Sequence, residues 1–365
     1  MRLELFPSRT IALYLARLFI TRILGVLVML VMILQVLDLL GESGNILAHP
    51  GNGQAQILTY ISLRSPQLVA RFLPYSVLLA TLFTFFPLNQ NSEVIAMRAA
   101  GLSAHQILAP MMATAAAVSL FSFVFNETVV TRDAAQLKAW QGAGYGQISR
   151  ESDVRSNLYV LDGANILYAE TAYGRDAGLT LQGVTWYRRD GNGMITARLM
   201  GPRARWTGHG WWLESPVAFD VASAGEHPAP PQLVASAVTP RQIEITAVDA
   251  DSLNITELSR AIAALRANGR RTAELDGKWW HKFSGPLAAV LMPLLGAVAA
   301  FGLARSGQLF IRAIIGMALG FTYFVVDNMA LALGNFGGYP PLIAAWAPFV
   351  LFLLVGETVL VRTEE

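Results

Sequence analysis

Three groups of polar residues in this 365-residue chain have types and spacings that an apolar surface does not need. The first is Glu93 with Arg98, in the stretch Asn89-Gln90-Asn91-Ser92-Glu93-Val94-Ile95-Ala96-Met97-Arg98-Ala99-Ala100-Gly101. An acid in the first turn of a short helix suits the helix dipole, Ser92 offers a cap and Gly101 a stop. Val94, Ile95 and Met97 then add apolar surface beside the charges. That combination fits docking into a groove of an ATPase subunit and resting on a membrane surface equally well. The second group is Asp38 and Asp327, each at the edge of or inside an apolar run. A carboxylate is costly in lipid, so both must face protein or a water-filled cavity, as the lining of a substrate path or as interhelical hydrogen-bond acceptors. The third is Lys138 with nearby Arg132, which suits an anionic headgroup or a plain solvated surface.

Group-transfer motifs are absent: the chain has no G-x-x-x-x-G-K-[ST], no H-E-x-x-H and no G-x-S-x-G. Gly142-Ala143-Gly144-Tyr145-Gly146 is glycine-rich, but no strand leads into it, and it reads as a flexible loop. With 5 scattered histidines and 0 cysteines there is no thiolate metal site, disulfide or cysteine nucleophile. The expectation is a non-catalytic protein with no catalytic residue, no metal and no cofactor, so any ATP-driven work must come from a partner. The 27 basic residues form no run that could track a phosphate backbone, which argues against nucleic acid.

The elements that position these residues follow from composition. Hydrophobic residues are 54% of the chain against 14% charged, and the mean hydropathy is +0.44. Such a chain crosses a membrane several times. Uncharged runs predict spans at Ile23 to Leu37, Phe72 to Leu88, Gln106 to Phe125, Phe283 to Ala304 and Tyr339 to Gly356, and a further apolar run, with Asp327 and Asn328 inside it, begins after Arg312 and reaches about Leu333. The first is too long for a signal-peptide core and reads as a retained span. Between spans three and four, short alternating runs appear at Leu158 to Leu161, Ile166 to Glu170, Leu179 to Arg189 and Met194 to Met200. Turns at Arg189 to Gly193 and at Thr207 to Gly210 separate such strands. The fold class is therefore an α-helical polytopic membrane protein of six transmembrane helices with an inserted all-β, jelly-roll-like domain.

The expected domains are 1–125 (spans one to three, with the short helix at about 89–101), 126–250 (β domain), 251–282 (amphipathic and interfacial helices) and 283–365 (spans four to six). Asn254 with Glu257 reads as the start of an amphipathic helix with Leu258, Ile262 and Leu265 on one face. Trp279 and Trp280 fall where an interfacial aromatic belt belongs. Arg2, Arg9, Arg98, Arg305, Arg312 and Arg362 share the side of the termini, whereas residues 40–65 offer only Arg64. By the positive-inside rule both termini are cytoplasmic and the β domain lies outside the cytoplasm.

The order of three spans, β domain, amphipathic helix and three spans resembles the lipopolysaccharide export permeases, the LptF/LptG family, and within it the LptG branch more closely. The stretches that carry the likeness are Glu93 to Gly101, Gly320-Phe321-Thr322-Tyr323-Phe324-Val325-Val326-Asp327-Asn328, and Tyr339-Pro340-Pro341-Leu342-Ile343-Ala344-Ala345-Trp346-Ala347-Pro348. The resemblance implies a bacterial inner-membrane permease paired with an LptF-like partner, an LptB-like ATPase dimer below, and an LptC-like bitopic protein with a β domain of its own. It implies lipopolysaccharide as substrate, entering from the outer leaflet and passing to a periplasmic bridge. Glu93, Arg98 and Met97 then couple to the ATPase. Asp38, Gln35, Lys138, Arg132, Phe72, Leu73, Leu27 and Leu30 are the lipid-binding residues to expect. Family members carry lysines near the outer end of the first span, where this chain has Gln35, Gly41 and Glu42, with Gln67 opening span two. Phosphate contacts from the partner permease, or a lipid A poorer in phosphate, would account for that. The alternative function is a mechanotransmitting subunit that couples an ATPase to a periplasmic partner and carries no substrate.

Overall fold

The computed structural model describes residues 8–146, 155–174, 178–221, 225–240, 242–243, 249–267, 271–300 and 309–362. The chain divides into a helical unit, Met1–Gly41, Thr59–Ala134 and Ala250–Glu365, and a β unit, Glu42–Leu58 and Ala135–Asp249. In chain order the helices are α1 (Arg9–Ala48), α2 (Gln54–Gln90), α3 (Glu93–Ala99), α4 (Ala104–Phe125), a π-helical turn at Asn126–Val130, and α5 (Thr131–Gly142). After the strands come α6 (Ile255–Ala267), α7 (Ala273–Ala300), α8 (Leu309–Asn335) and α9 (Pro341–Arg362).

Among the described residues, five helical stretches are long and apolar enough to cross a membrane: α1, α2, α4 with its continuation to Gly142, Ile314–Asn335 in α8, and α9. The fourth expected span, Phe283 to Ala304, falls on the apolar half of α7 as far as Ala300, and residues 301–304 lie outside the described residues. The helix α7 opens with Glu274, Asp276, Lys278, His281 and Lys282 before its apolar run begins.

At the centre of the helical unit is α2, with Pro66, Pro74 and Pro87 inside it. Proline 87 has no N–H to give the carbonyl four residues earlier, so the Phe83 oxygen is left without its helical donor. The guanidinium of Arg22 on α1 donates to that oxygen. The hydroxyls of Ser76, Thr81 and Thr84 bond back to the carbonyls of Phe72, Val77 and Ala80, so the buried polar groups of α2 find partners along its own backbone.

Small residues let the neighbours of α2 approach closely. A Cβ on Gly296 of α7 would lie 2.6 Å from Thr81 Cγ2, and one on Gly320 of α8 would lie 2.3 Å from Leu78 Cδ2. Both Thr81 and Leu78 are fully buried and cannot swing aside. Gly296→Val is therefore expected to force α7 off α2 and cost about 1–3 kcal/mol, the usual range for overpacking. A drop in the thermal unfolding midpoint of the purified chain checks this, and an unchanged midpoint would refute the close approach.

The β unit is one antiparallel sheet of β1 (Arg155–Asp162), β2 (Asn165–Tyr173), β3 (Thr180–Arg189), β4 (Ile195–Trp206), β5 (Trp211–Glu214), β6 (Val217–Asp220), β7 (Gly225–Pro228) and β8 (Gln232–Val234). The order is β1-β2-β3-β4-β5-β8, and the sheet forks at β4. The later half of β4, Arg203 to Trp206, pairs with β5, and the earlier half, Ala197 to Met200, pairs with β6. Pro202 sits in the gap between the two pairings, where neither partner asks for its missing N–H. The strand expected at Met194 to Met200 thus begins at Ile195 and runs on to Trp206.

Alternate residues point inward, and Leu158, Val160, Leu167, Ala169, Leu181, Val184 and Trp211 form the core. Trp211 is fully buried and its indole N–H donates to the Val238 carbonyl at 2.7 Å. Asp162 takes the Trp186 indole N–H at 3.1 Å on one oxygen and the Ala237 amide at 3.1 Å on the other. The turn at Asp190 is held as expected, with the Asp190 carboxylate accepting the amides of Asn192 and Met194 at 2.9 Å each. Gly142 to Gly146 closes α5 as a turn, with Gly144 and Tyr145 at φ of 59° and 63°. The Tyr145 hydroxyl donates to Glu42 at 2.6 Å.

Candidate functional site

A seven-residue helix is too short to persist alone, so α3 must be held by packing. Val94 is 3% exposed in the core of the helical unit and Met97 packs against the same core, while Ile95 is 49% exposed. Of the three apolar residues expected to present a surface, two turn inward and Ile95 alone faces out. Ser92 does not cap: it lies at φ 60°, in the left-handed region, where its side chain makes no bond to the helix. The C-terminal end closes as expected, with Gly101 N–H on the Arg98 carbonyl at 3.0 Å and Leu102 N–H on that of Met97 at 3.2 Å. Glu93 is half-buried and accepts the Tyr14 hydroxyl of α1 at 3.2 Å. Arg98 is exposed.

At the other end of α1, Asp38 is the hub of a polar cluster. Arg64 of α2 clasps it with both nitrogens, Nη2 to Oδ1 at 2.9 Å and Nε to Oδ2 at 3.1 Å, and Tyr60 donates to it at 2.5 Å. This two-pronged geometry is the strong form of an Arg–carboxylate pair. Arg64 also reaches Gln67 at 2.8 Å, and Ser65 donates to Gln35 at 3.3 Å. Gln35 is 8% exposed, and among the described residues its amide nitrogen has no hydrogen-bond partner. The structure thus brings Asp38, Gln35 and Gln67 together. Sequence reasoning gave Arg64 only a vote on topology. The signal that could have found it is the spacing of Tyr60 and Arg64, four residues apart and so on one helix face.

A hollow of about 540 Å³ between α1, α2 and α8 is lined by Leu30, Phe72, Tyr75, Phe324 and Asn328 among others. Tyr75 stacks on Phe324 with centroids 3.8 Å apart. Leu27 and Leu73 line a different hollow, so the four expected apolar residues are split between two cavities. Arg71, one turn before Tyr75, is exposed, and no ion pair is recorded for it among the described residues. The uncharged run that defined the span began one residue after it. Asp327 turns away from the hollow into α7, where His281 Nε2 lies 3.0 Å from its Oδ2. At 6% exposure it is an interhelical partner. In the β unit, Lys138 pairs with Asp249 at 2.9 Å and remains about half exposed, whereas Arg132, exposed on α5, belongs to the helical unit.

These placements accompany a family match that runs nearly end to end: residues 13–362 match the lipopolysaccharide export system permease family LptF/LptG. The chain belongs to the LptF/LptG family. The Escherichia coli K12 lipopolysaccharide export system permease protein LptG is 26% identical, over 98% of this chain and 99% of its own length. The LptG of Haemophilus influenzae Rd is 22% identical over 82% of this chain and 84% of its own length. An LptF/LptG permease of this sequence thus combines long apolar helices with an inserted antiparallel sheet, and the likeness to LptG covers both.

Proposed function

We propose that the chain is one of two paired permease subunits of an ABC transporter that extracts lipopolysaccharide from the outer leaflet of the bacterial inner membrane and passes it to a periplasmic bridge. The observation that carries this reading is the family match across helices and sheet together. Its partners are an LptF-like permease, an LptB-like ATPase dimer and an LptC-like bitopic protein. Both termini are cytoplasmic, six helices span, and the β domain of 126–250 is periplasmic, consistent with the basic residues near the termini.

The hollow lined by Leu30, Phe72 and Tyr75 suits acyl chains, since it is apolar with few polar groups. Arg71 beside it supplies the cation for a lipid phosphate that the outer end of α1 lacks, and Arg64 is held back by Asp38. Glu93, Met97 and Arg98 belong to the coupling helix. Lys138 and Arg132 would meet headgroups beyond the membrane.

The test is co-purification of the tagged chain from its native membrane, with mass spectrometry of bound proteins and lipids. Recovery of a second permease, an ATPase and lipid A species is expected. An ATPase and a periplasmic partner without lipid would instead support mechanotransmission without transport. Recovery of neither would overturn both readings.

A further inference from the structure

The α1 residues Arg9, Leu13, Arg17, Ile20, Leu24 and Leu27 recur every three or four positions and so share one face. That face opens onto a hollow of about 1020 Å³ whose far wall is α4. The space exists because the facing residues are small: Ala12 and Ala16 on α1 meet Ala113, Thr114 and Ala117 on α4. Beside it a shallow, open space of about 710 Å³ lies along α1 itself, lined by Thr10, Tyr14, Leu18 and Thr21 of that one helix. Arg9, Leu13 and Arg17 border both.

Arg22 is satisfied by the Phe83 carbonyl and Arg64 by Asp38, whereas Arg71 of α2 lies one turn before Tyr75 of the other hollow. Among the described residues neither Arg9 nor Arg17 has a side-chain partner, and Arg17 lies about 12 Å further along the helix than Arg9. Among the described residues, Glu93 comes near this end of α1 and accepts from Tyr14. A guanidinium two turns inside an apolar helix is costly unless an anion meets it. The polar lining of the larger hollow, apart from the two arginines, is Thr114, whose hydroxyl already bonds the Pro110 carbonyl at 2.8 Å, so nothing there would hold a sugar.

We infer that the space between α1 and α4 is a binding site for an anionic glycerophospholipid, its phosphate held by Arg9 and Arg17 and its acyl chains in the hollow between the two helices. Basic pockets between membrane helices are a recognised setting for such headgroups. The site is separate from the Asp38–Arg64 cluster, which lies about 40 Å along α1 from Arg9. It rests on the proposed orientation only in assigning the lipid to the cytoplasmic leaflet.

The experiment uses the full chain in its native assembly, exchanged into nanodiscs of phosphatidylcholine and phosphatidylglycerol with matched acyl chains, and native mass spectrometry of the released protein. One phosphatidylglycerol should be retained with roughly tenfold to thirtyfold preference, as two cations would give. Arg9→Gln with Arg17→Gln should abolish the preference at an unchanged unfolding midpoint. Ala117→Trp should release the lipid with both charges in place. Equal retention of the two lipids, or a preference that survives the double arginine variant, overturns the site. Because the chain has 0 cysteines, Ala113→Cys gives a single cross-linking position. Cross-linking there to a partner's helix, with phosphatidylglycerol absent, would also overturn it. None of these readouts depends on lipopolysaccharide or ATP, so their failure is separable from failure of the transport reading.

Discussion

Glu93→Ala is expected to strip the ATPase from the co-purified assembly while leaving the permease folded. The helix that carries Glu93 is fixed by Val94 and Met97 in the core and by the Gly101 turn, none of which involves the carboxylate. Its loss therefore removes a charged acceptor from the surface and leaves the backbone in place. A hydrogen bond to a charged group contributes about 1.5–3 kcal/mol, which corresponds to roughly a tenfold to hundredfold loss of affinity. Tyr14→Phe separates the two partners of Glu93, since it removes the 3.2 Å bond from α1 and keeps the acid. That variant should retain the ATPase. Full recovery of the ATPase with Glu93→Ala would show that the coupling contact lies elsewhere, with exposed Ile95 and Arg98 the next residues to test.

Lys282→Ala is expected to be the most destabilising single change at the junction of the helical unit. Glu127 sits in the π-helical turn after α4, the kind of irregularity that re-aims a side chain. One of its oxygens takes Lys282 Nζ at 2.6 Å and the other takes the Ile255 amide at the start of α6 at 2.6 Å. The two side chains are 14% and 16% exposed. Removing the lysine leaves a carboxylate buried without its counter-ion, a loss on the order of 3–5 kcal/mol. The double variant Glu127→Gln with Lys282→Met buries no charge and should cost clearly less. Thermal unfolding in detergent compares them, and a double variant as unstable as Lys282→Ala would mean that packing, not charge, governs the site.

What could be read from sequence was local. The Asn254–Glu257 capping box forms with both of its bonds, 2.9 and 3.1 Å, and Leu258, Ile262 and Leu265 are buried on one face as their spacing dictates. The four long early strands and the Asp190 turn follow from alternation and turn chemistry in the same way. The short strands β6 to β8 escaped because three or four residues, such as Gly225–Pro228, carry too little pattern to be seen without their partners. Likewise α2 was cut short at Phe72, because a count of uncharged residues stops at Arg71, whereas a helix needs only one apolar face to continue back to Gln54.

The candidate site was less legible, for a related reason. Asp38 was recognisable as a costly acid, but its counter-ion lies 26 residues away on another helix. Spacing cannot reveal a pair of that kind. Asp327 met the same limit, with His281 46 positions earlier in the chain.

The order of strands in the sheet has a bearing on how the chain is made. Each of β1 to β5 pairs with its neighbour in sequence, and the longest closure is that of β8 onto β5, Leu213 to Gln232. Short closures lose little chain entropy and form quickly. Every strand and the covering segment through Ile243 precede α6, so the sheet can complete its core while α7 to α9 are still on the ribosome. Nothing in that core waits for the second half of the membrane bundle. Synthesis can therefore deliver a finished sheet before the last helices are made, so that its strands need not stay unpaired until then.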